Sequence, residues 1–175
     1  MLKIFSRIIF FVLVSILLVV IQFSLISALP GWGKYLYPGV VVSVFIIFFF
    51  DLLSAFYFIL LFGLLLDILS FQFFGMYTAS LALSALVSHL ILKKFLTNKS
   101  IYSLLAVMLI FIFSYNFLSS FFSFIFASSS LSIFQSAFWI SLLIQFFWGI
   151  ICTIIFFPPL VSWFKKFKPF FLEKR

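Results

Sequence analysis

The stretch GLLLDILSFQFFGMYTAS, residues 63–80, sets one carboxylate, Asp67, inside a run that is otherwise largely apolar. Whether this run crosses a membrane decides the fold, and the composition around it answers. Of the 175 residues 67% are hydrophobic, 24% aromatic and 8% charged, far from the balance of a soluble domain. The chain reads as a polytopic membrane protein of all-α class. Each helical crossing takes about 20 apolar residues, so these 175 residues are expected to form one domain of membrane spans without a separate soluble one.

Phenylalanine accounts for 32 residues, lysine outnumbers arginine by nine to two, and glycine is scarce. AT-rich coding explains that bias, and the aromatic rings are expected to face lipid or pack between helices rather than mark a ligand site. Cys152 is the single cysteine and His89 the single histidine; with no C-x-x-C pair and no Cys/His cluster, neither a metal nor any other cofactor is expected. The first apolar run, Ile8 to Ile26, comes after Lys3 and Arg7 in the manner of a signal peptide. It exceeds the usual apolar core of such a peptide and lacks a small-x-small cleavage site, so it is expected to remain as the first span.

Charge placement orders the spans better than hydropathy, because the apolar signal is nearly continuous from residue 36 to residue 92. The basic residues fall in four places: Lys3 and Arg7; Lys34 alone; Lys93, Lys94 and Lys99; and Lys165, Lys166, Lys168, Lys174 and Arg175. The positive-inside rule puts the rich clusters in the cytoplasm and leaves Lys34 outside. An even number of spans must then separate successive clusters. The interruptions PGWGK (30–34), DLLS (51–54), SFQFFG (70–75) and ASSSLS (127–132) supply the turns. The pattern predicts six short transmembrane helices near 8–29, 36–50, 53–70, 75–92, 101–123 and 134–157, with both termini cytoplasmic. Pro158 and Pro159 are expected to end the sixth helix, since proline lacks an amide donor. The C-terminal segment, 160–175, interleaves Trp and Phe with Lys165, Lys166 and Lys168, as in a segment lying on anionic lipid. That tail and the topology account for the net charge of +8 without nucleic acid.

Within this frame Asp67 lies one turn before an external turn. An ionised carboxylate at mid-span costs about 2.5–3.5 kcal/mol on the insertion scale, and less near an end. Two readings stand: a structural one, in which the carboxylate reaches headgroup water or binds exposed amides near the turn, such as those opening the fourth helix, and one in which it has an interaction or functional role. Gly63, four residues earlier on the same face, lets another helix approach, and Gly75 lets the backbone turn. Asp51 is expected to cap the third helix. Ser80, Ser84 and Ser88, spaced by four, form a packing stripe on the fourth helix, and His89 beside Lys93 and Lys94 is expected to act as an interfacial hydrogen-bonding group. Asn116 and Gln145, at middling depth in the fifth and sixth spans, want partners: each other, or the serine stripe. No nucleophile, base and orienting group come together in these patterns, and no enzyme is expected.

The segment FGLLLDILSFQFFGMYTASLAL, 62–83, resembles the MreD family, whose pattern G-x-x-x-D-[LI]-x-S-x-x-x-x-G it matches at Gly63, Asp67, Ser70 and Gly75. A basic start, Gln22 in the first helix, Pro30 in a short outer turn and Pro38 before the second span agree in outline. The chain departs from that family at Gly39, where an aspartate is frequent, and at Phe71, where a glycine is. The resemblance implies a multi-pass protein of the bacterial cytoplasmic (inner) membrane that catalyses nothing itself. Such a protein binds a bitopic MreC-like protein and, through it, influences a transpeptidase and glycosyltransferase pair of peptidoglycan synthesis under an MreB-like cytoskeleton. Gly63, Asp67, Ser70 and Gly75 are then the candidates for partner interaction.

A rival is the substrate-binding S component of an energy-coupling-factor vitamin transporter, which also has about six short helices. Such a subunit usually docks through an alanine pair on its first helix; SRIIFFVLVSILLVVIQFSLIS, 6–27, has bulky residues almost throughout. A membrane enzyme acting on lipid-linked intermediates would need a charged cluster for phosphate chemistry, and the sequence offers none.

Overall fold

A computed structural model describes residues 2–26, 28–29, 33, 35–49, 52–70, 73–95, 100–127 and 136–171, the side chains of 2–8, 10, 25, 26, 95, 127, 137 and 160–171 excepted. Every regular element among them is helical. In order they are α1 (Leu2–Val20), running on into a π-helical turn at Ile21–Ile26, α2 (Pro38–Phe49), α3 (Leu52–Ser70), α4 (Met76–Phe95), α5 (Ile101–Ala127) and α6 (Ser136–Phe171). Four stretches are long and apolar enough to cross a membrane: Leu52–Ser70, Met76–Lys94, Ile101–Phe126 and Phe138–Pro159. Phe11–Ser24 and Pro38–Phe49 are shorter apolar helices. This is the build of a multi-pass membrane protein.

The second helix departs most from an ordinary span. At 12 residues it rises about 18 Å, well short of a hydrocarbon core of about 30 Å. It is also the most enclosed element, with nine of its residues buried, from Gly39 to Phe48 with Val42 excepted. The helix packs against α5, α3, α1 and α4 together. It is hydrophobic on every side, as a helix surrounded by others must be. Gly39 sits against the Phe62 ring of α3, where an added Cβ would fall 1.9 Å from the ring edge. Phe58, Ile59, Leu81, Leu104, Phe111 and Val44 are sealed in the core around it.

The fourth and fifth helices form the most extensive pair, with α3 laid against α4 and α6 against α5. Small residues allow these approaches. A Cβ on Gly149 of α6 would press to 3.3 Å on both Ile112 and Met108 of α5. Hydroxyls along the helices turn inward on their own backbone: Ser15, Ser43, Ser80, Ser84 and Thr153 each donate to the carbonyl four residues before, at 2.6–2.8 Å. Bonded so, a buried serine presents little more than a methylene to its neighbour.

The sixth helix does not end at the prolines. It continues in helical geometry through Pro158 and Pro159 to Phe171. Proline is tolerated in the first turn of a helix, where no amide bond is due and its fixed φ is already helical. The pair therefore loses the bonds to Ile154 and Ile155 yet starts the next turns in register. Both prolines are exposed, so their rings meet no neighbouring helix. The side chains of Lys165, Lys166 and Lys168 lie outside the described residues, as do Pro30, Lys34, Asp51, Phe71, Gln72 and Ser128–Ser130.

Candidate functional site: a capped helical hairpin and a polar layer

The residues of the 63–80 stretch come together as one device. Gly75 turns the chain with φ of +93°, a conformation that costs a side-chain-bearing residue about 1–2 kcal/mol. Its carbonyl takes the first helical bond of α4, from the Ala79 amide at 2.9 Å, which makes Gly75 the N-cap. A glycine cap has no side chain to satisfy the amides of the first turn. Asp67, from the last turn of α3, does this in its place. Its Oδ1 accepts the Tyr77 amide at 2.8 Å and its Oδ2 the Thr78 amide at 3.1 Å. The Thr78 hydroxyl also donates to Oδ2. The remaining amide of that turn, Met76, reaches the Phe73 carbonyl at 3.2 Å.

Close approach of the two helices makes this reach possible. The Cβ that Gly63 lacks would stand 2.7 Å from the Thr78 main chain, so only glycine lets α3 and α4 meet at that height. Four residues later on the same face of α3, Asp67 then falls level with the start of α4. The carboxylate is 3% exposed and faces the positive end of the α4 dipole. Ser70 donates to the Asp67 carbonyl over a long 3.4 Å. Of the four motif residues, Gly63 and Asp67 are buried and Ser70 and Gly75 half-buried. The hairpin's exposed surface is carried instead by Ile68, Leu69, Phe73 and Phe74. Asp67 is committed within the chain.

Several other polar side chains lie near the same height. Asn116 of α5 donates its Nδ2 to the Gln145 Oε1 of α6 at 2.7 Å and to its own Ile112 carbonyl at 2.8 Å. Beside Asn116, Tyr115 is 4% exposed and its ring meets Tyr37, just before α2, at 6.3 Å between centroids. Tyr115 also lies within electrostatic reach of Tyr77 and Asp67. Next to Tyr37, the Leu36 carbonyl accepts Gln22 Nε2 from the π-helical turn at 3.3 Å. Gln22, Tyr37, Asp67, Tyr77, Asn116 with Tyr115, and Gln145 thus join all six helical segments in one polar layer. An independent contact agrees with this height. Phe49, ending α2, meets Phe157 of α6 at 6.3 Å; from that contact Pro38 lies about 16 Å away along α2, and Gln145 about 18 Å away along α6.

The serine stripe is elsewhere. Ser80, Ser84 and Ser88 are fully buried on α4; Asn116 bonds to Gln145 and not to the stripe. Among the described residues, Ser88 Oγ and His89 Nδ1 are buried without a hydrogen-bond partner. No group of three His, Cys, Asp or Glu side chains comes together among those residues.

Sequence reasoning singled out Asp67, Asn116 and Gln145, and Tyr77 only as a polar group of the outer side, but not Tyr37 or Tyr115. Against an aromatic background of 24%, three tyrosines on separate segments carry no periodic signal. Thr78 was equally hidden, since its role exists only once Gly63 has brought its main chain close. Comparisons of the chain with protein-family models, with characterised proteins and with solved structures find no match.

Proposed function

We propose that the chain is a non-catalytic membrane subunit of the bacterial cell-wall elongation machinery, of the MreD kind. On this reading it crosses the inner membrane six times with both termini in the cytoplasm and binds an MreC-like bitopic protein. Through that protein it acts on a transpeptidase and glycosyltransferase pair guided by an MreB-like cytoskeleton. One observation carries the reading: Gly63, Asp67 and Gly75, on which the resemblance rests, cooperate in a single closely packed, capped hairpin. Their spacing answers a structural demand, and a scaffold that presents a fixed face to a partner makes that demand. The partner-facing groups on this hairpin are then Ile68, Leu69, Phe73 and Phe74, which Asp67 positions from within.

The polar layer favours a second reading, the substrate-binding S component of an energy-coupling-factor vitamin transporter, because it sets hydrogen-bonding groups from all six segments at one height. Cross-linking in native membranes, mild-detergent purification of the tagged chain and mass spectrometry of its companions separate the two. An MreC-like protein or an elongation transpeptidase is the expected companion. Recovery of a membrane coupling subunit with ATPases would replace the first reading with the second.

A further inference from the structure

Three helices start or stop near one plane, and the sixth runs through it. Counted along each axis from the polar layer, Leu52 on α3, Lys93 on α4 and Ile101 on α5 all lie about 22 Å away, and Pro159 on α6 about 21 Å. Lys93 and Lys94, both exposed, mark that plane as the edge of the apolar slab. From there α6 continues to Phe171, about 18 Å farther. Its continuity is weakest at this same level. Pro158 and Pro159 offer no amide to the Ile154 and Ile155 carbonyls, and prolines are where helix axes kink. Ile154, Ile155 and both prolines are exposed, so no neighbouring helix packs on them to hold the axis straight.

We propose that Pro158 and Pro159 form a hinge at the membrane edge, and that 160–171 bends over it as an amphipathic helix seated on the surface of an anionic leaflet. A basic aromatic segment without helical order has no defined face; continuation of the helix gives this one two. The register places Leu160, Trp163, Phe164, Phe167 and Phe171 within an arc of about 100°, with Ser162 and Lys165 opposite and Lys166 and Lys168 on the flanks. That order suits an interfacial helix, whose apolar face enters the acyl boundary while its lysines meet the headgroups. Charge selects the occupant. Residues 160–171 contain three lysines and no acidic residue, and lysine is drawn to a surface of anionic lipid. An upright α6 would instead hold the aromatic face in water, at the cost of the burial a leaflet provides. The inference uses only the membrane build of the chain, so its failure and the failure of the partner reading are separate results.

The test uses the full chain with Cys152→Ser and a nitroxide label on Phe167→Cys or on Lys165→Cys, in nanodiscs with or without phosphatidylglycerol in phosphatidylcholine. Label depth is read from spin relaxation by oxygen, which partitions into lipid, against a water-soluble nickel chelate. With phosphatidylglycerol the label at 167 should be reached by oxygen and shielded from nickel, and the label at 165 the reverse. In phosphatidylcholine alone the label at 167 should open to nickel. Read at 167, the triple variant Lys165→Gln, Lys166→Gln, Lys168→Gln should lower the ratio of seated to free helix on the order of a hundredfold. Pro158→Ala with Pro159→Ala restores the two backbone bonds and should also open the label to nickel. Equal exposure of the two labels on anionic nanodiscs, as for an upright helix or one held by a soluble protein, would overturn the surface helix. Seating that ignores phosphatidylglycerol or the lysines would overturn the charge selection, and unchanged seating in the alanine pair would overturn the hinge.

Discussion

Replacing Asp67 by leucine separates the two roles a carboxylate can have in a membrane hairpin, because the structure gives insertion and packing opposite signs. Leucine favours insertion of α3, where a charge costs about 2.5–3.5 kcal/mol at the span centre and less near its end. The folded hairpin loses its cap. The Tyr77 and Thr78 amides, which now bond Oδ1 and Oδ2, are left with no acceptor. Each buried orphan donor costs roughly 1–3 kcal/mol, and the α4 dipole loses its anion, about 0.3–1 kcal/mol. Set against partial relief from burying a charge, the net loss of hairpin stability is about 1–4 kcal/mol. At 1.4 kcal/mol per tenfold, amide exchange at Tyr77 and Thr78 should quicken by roughly 5-fold to several hundredfold. Hydrogen–deuterium exchange of the chain in nanodiscs reads this directly, beside an insertion assay on α3. Asp67→Asn keeps one acceptor oxygen and should fall between. Exchange at both amides in Asp67→Leu that matched the parent would refute the capping role. If exchange quickened while a partner was still captured in full, the hairpin's rigidity would be shown irrelevant to that contact.

Three further substitutions probe the same construction. Gly63→Ala sets a Cβ 2.7 Å from the Thr78 main chain, which cannot swing aside as a side chain can; α3 and α4 must part, with a stability loss of about 1–3 kcal/mol, measured by denaturant unfolding in mild detergent. Gly75→Ala meets nothing within 4 Å of the new Cβ, so its cost is confined to the positive φ, about 1–2 kcal/mol, and Gly75→Asn should recover part of it in the same assay. Asn116→Leu and Gln145→Leu, alone and together, should give a double-mutant coupling near 0.6 kcal/mol and below about 1.7, the range seen for interhelical hydrogen bonds in membranes.

Much of the fold was legible in the sequence because apolar runs and their interruptions record where helices begin and end. The starts at Met76 and Ile101 fall within a residue of the expected boundaries. The hairpin was legible too: Gly63, Asp67 and Gly75 suggested a tight turn with a carboxylate, and binding of amides near the turn stood beside headgroup water and a partner role as alternatives for Asp67. The second helix was harder. Its span was expected from residue 36, but Leu36 and Tyr37 precede the helix, which begins at Pro38, where a proline suits a first turn. The sixth helix was misjudged because proline was weighed only as a terminator, when Pro158 and Pro159 also satisfy the geometry of a helix start. The tyrosine layer had no sequence signal at all. Its members meet only after six segments have packed, and nothing about Tyr115 alone distinguishes it from its aromatic neighbours.

The distribution of polar contacts explains how so uniform a sequence specifies one arrangement. In a bundle built largely from phenylalanine, leucine and isoleucine, lipid is as good a neighbour as another helix, and apolar packing alone discriminates weakly between one register and the next. Most buried hydroxyls contribute nothing to that choice, because they bond their own helix. Contacts between segments that can select a register are concentrated at one height: Asp67 with the opening of α4, Asn116 with Gln145, and Gln22 with the Leu36 carbonyl. A shift of α4 by one residue along α3 would move its capped amides about 1.5 Å and turn Thr78 away from Asp67 by roughly a quarter of the helix. The glycines act in the same place, since Gly63 admits α4 only where Thr78 stands opposite. The polar layer therefore does for the bundle what a single buried asparagine does for a coiled coil. It contributes little to the depth of the packing energy and much to the difference between the right packing and its neighbours.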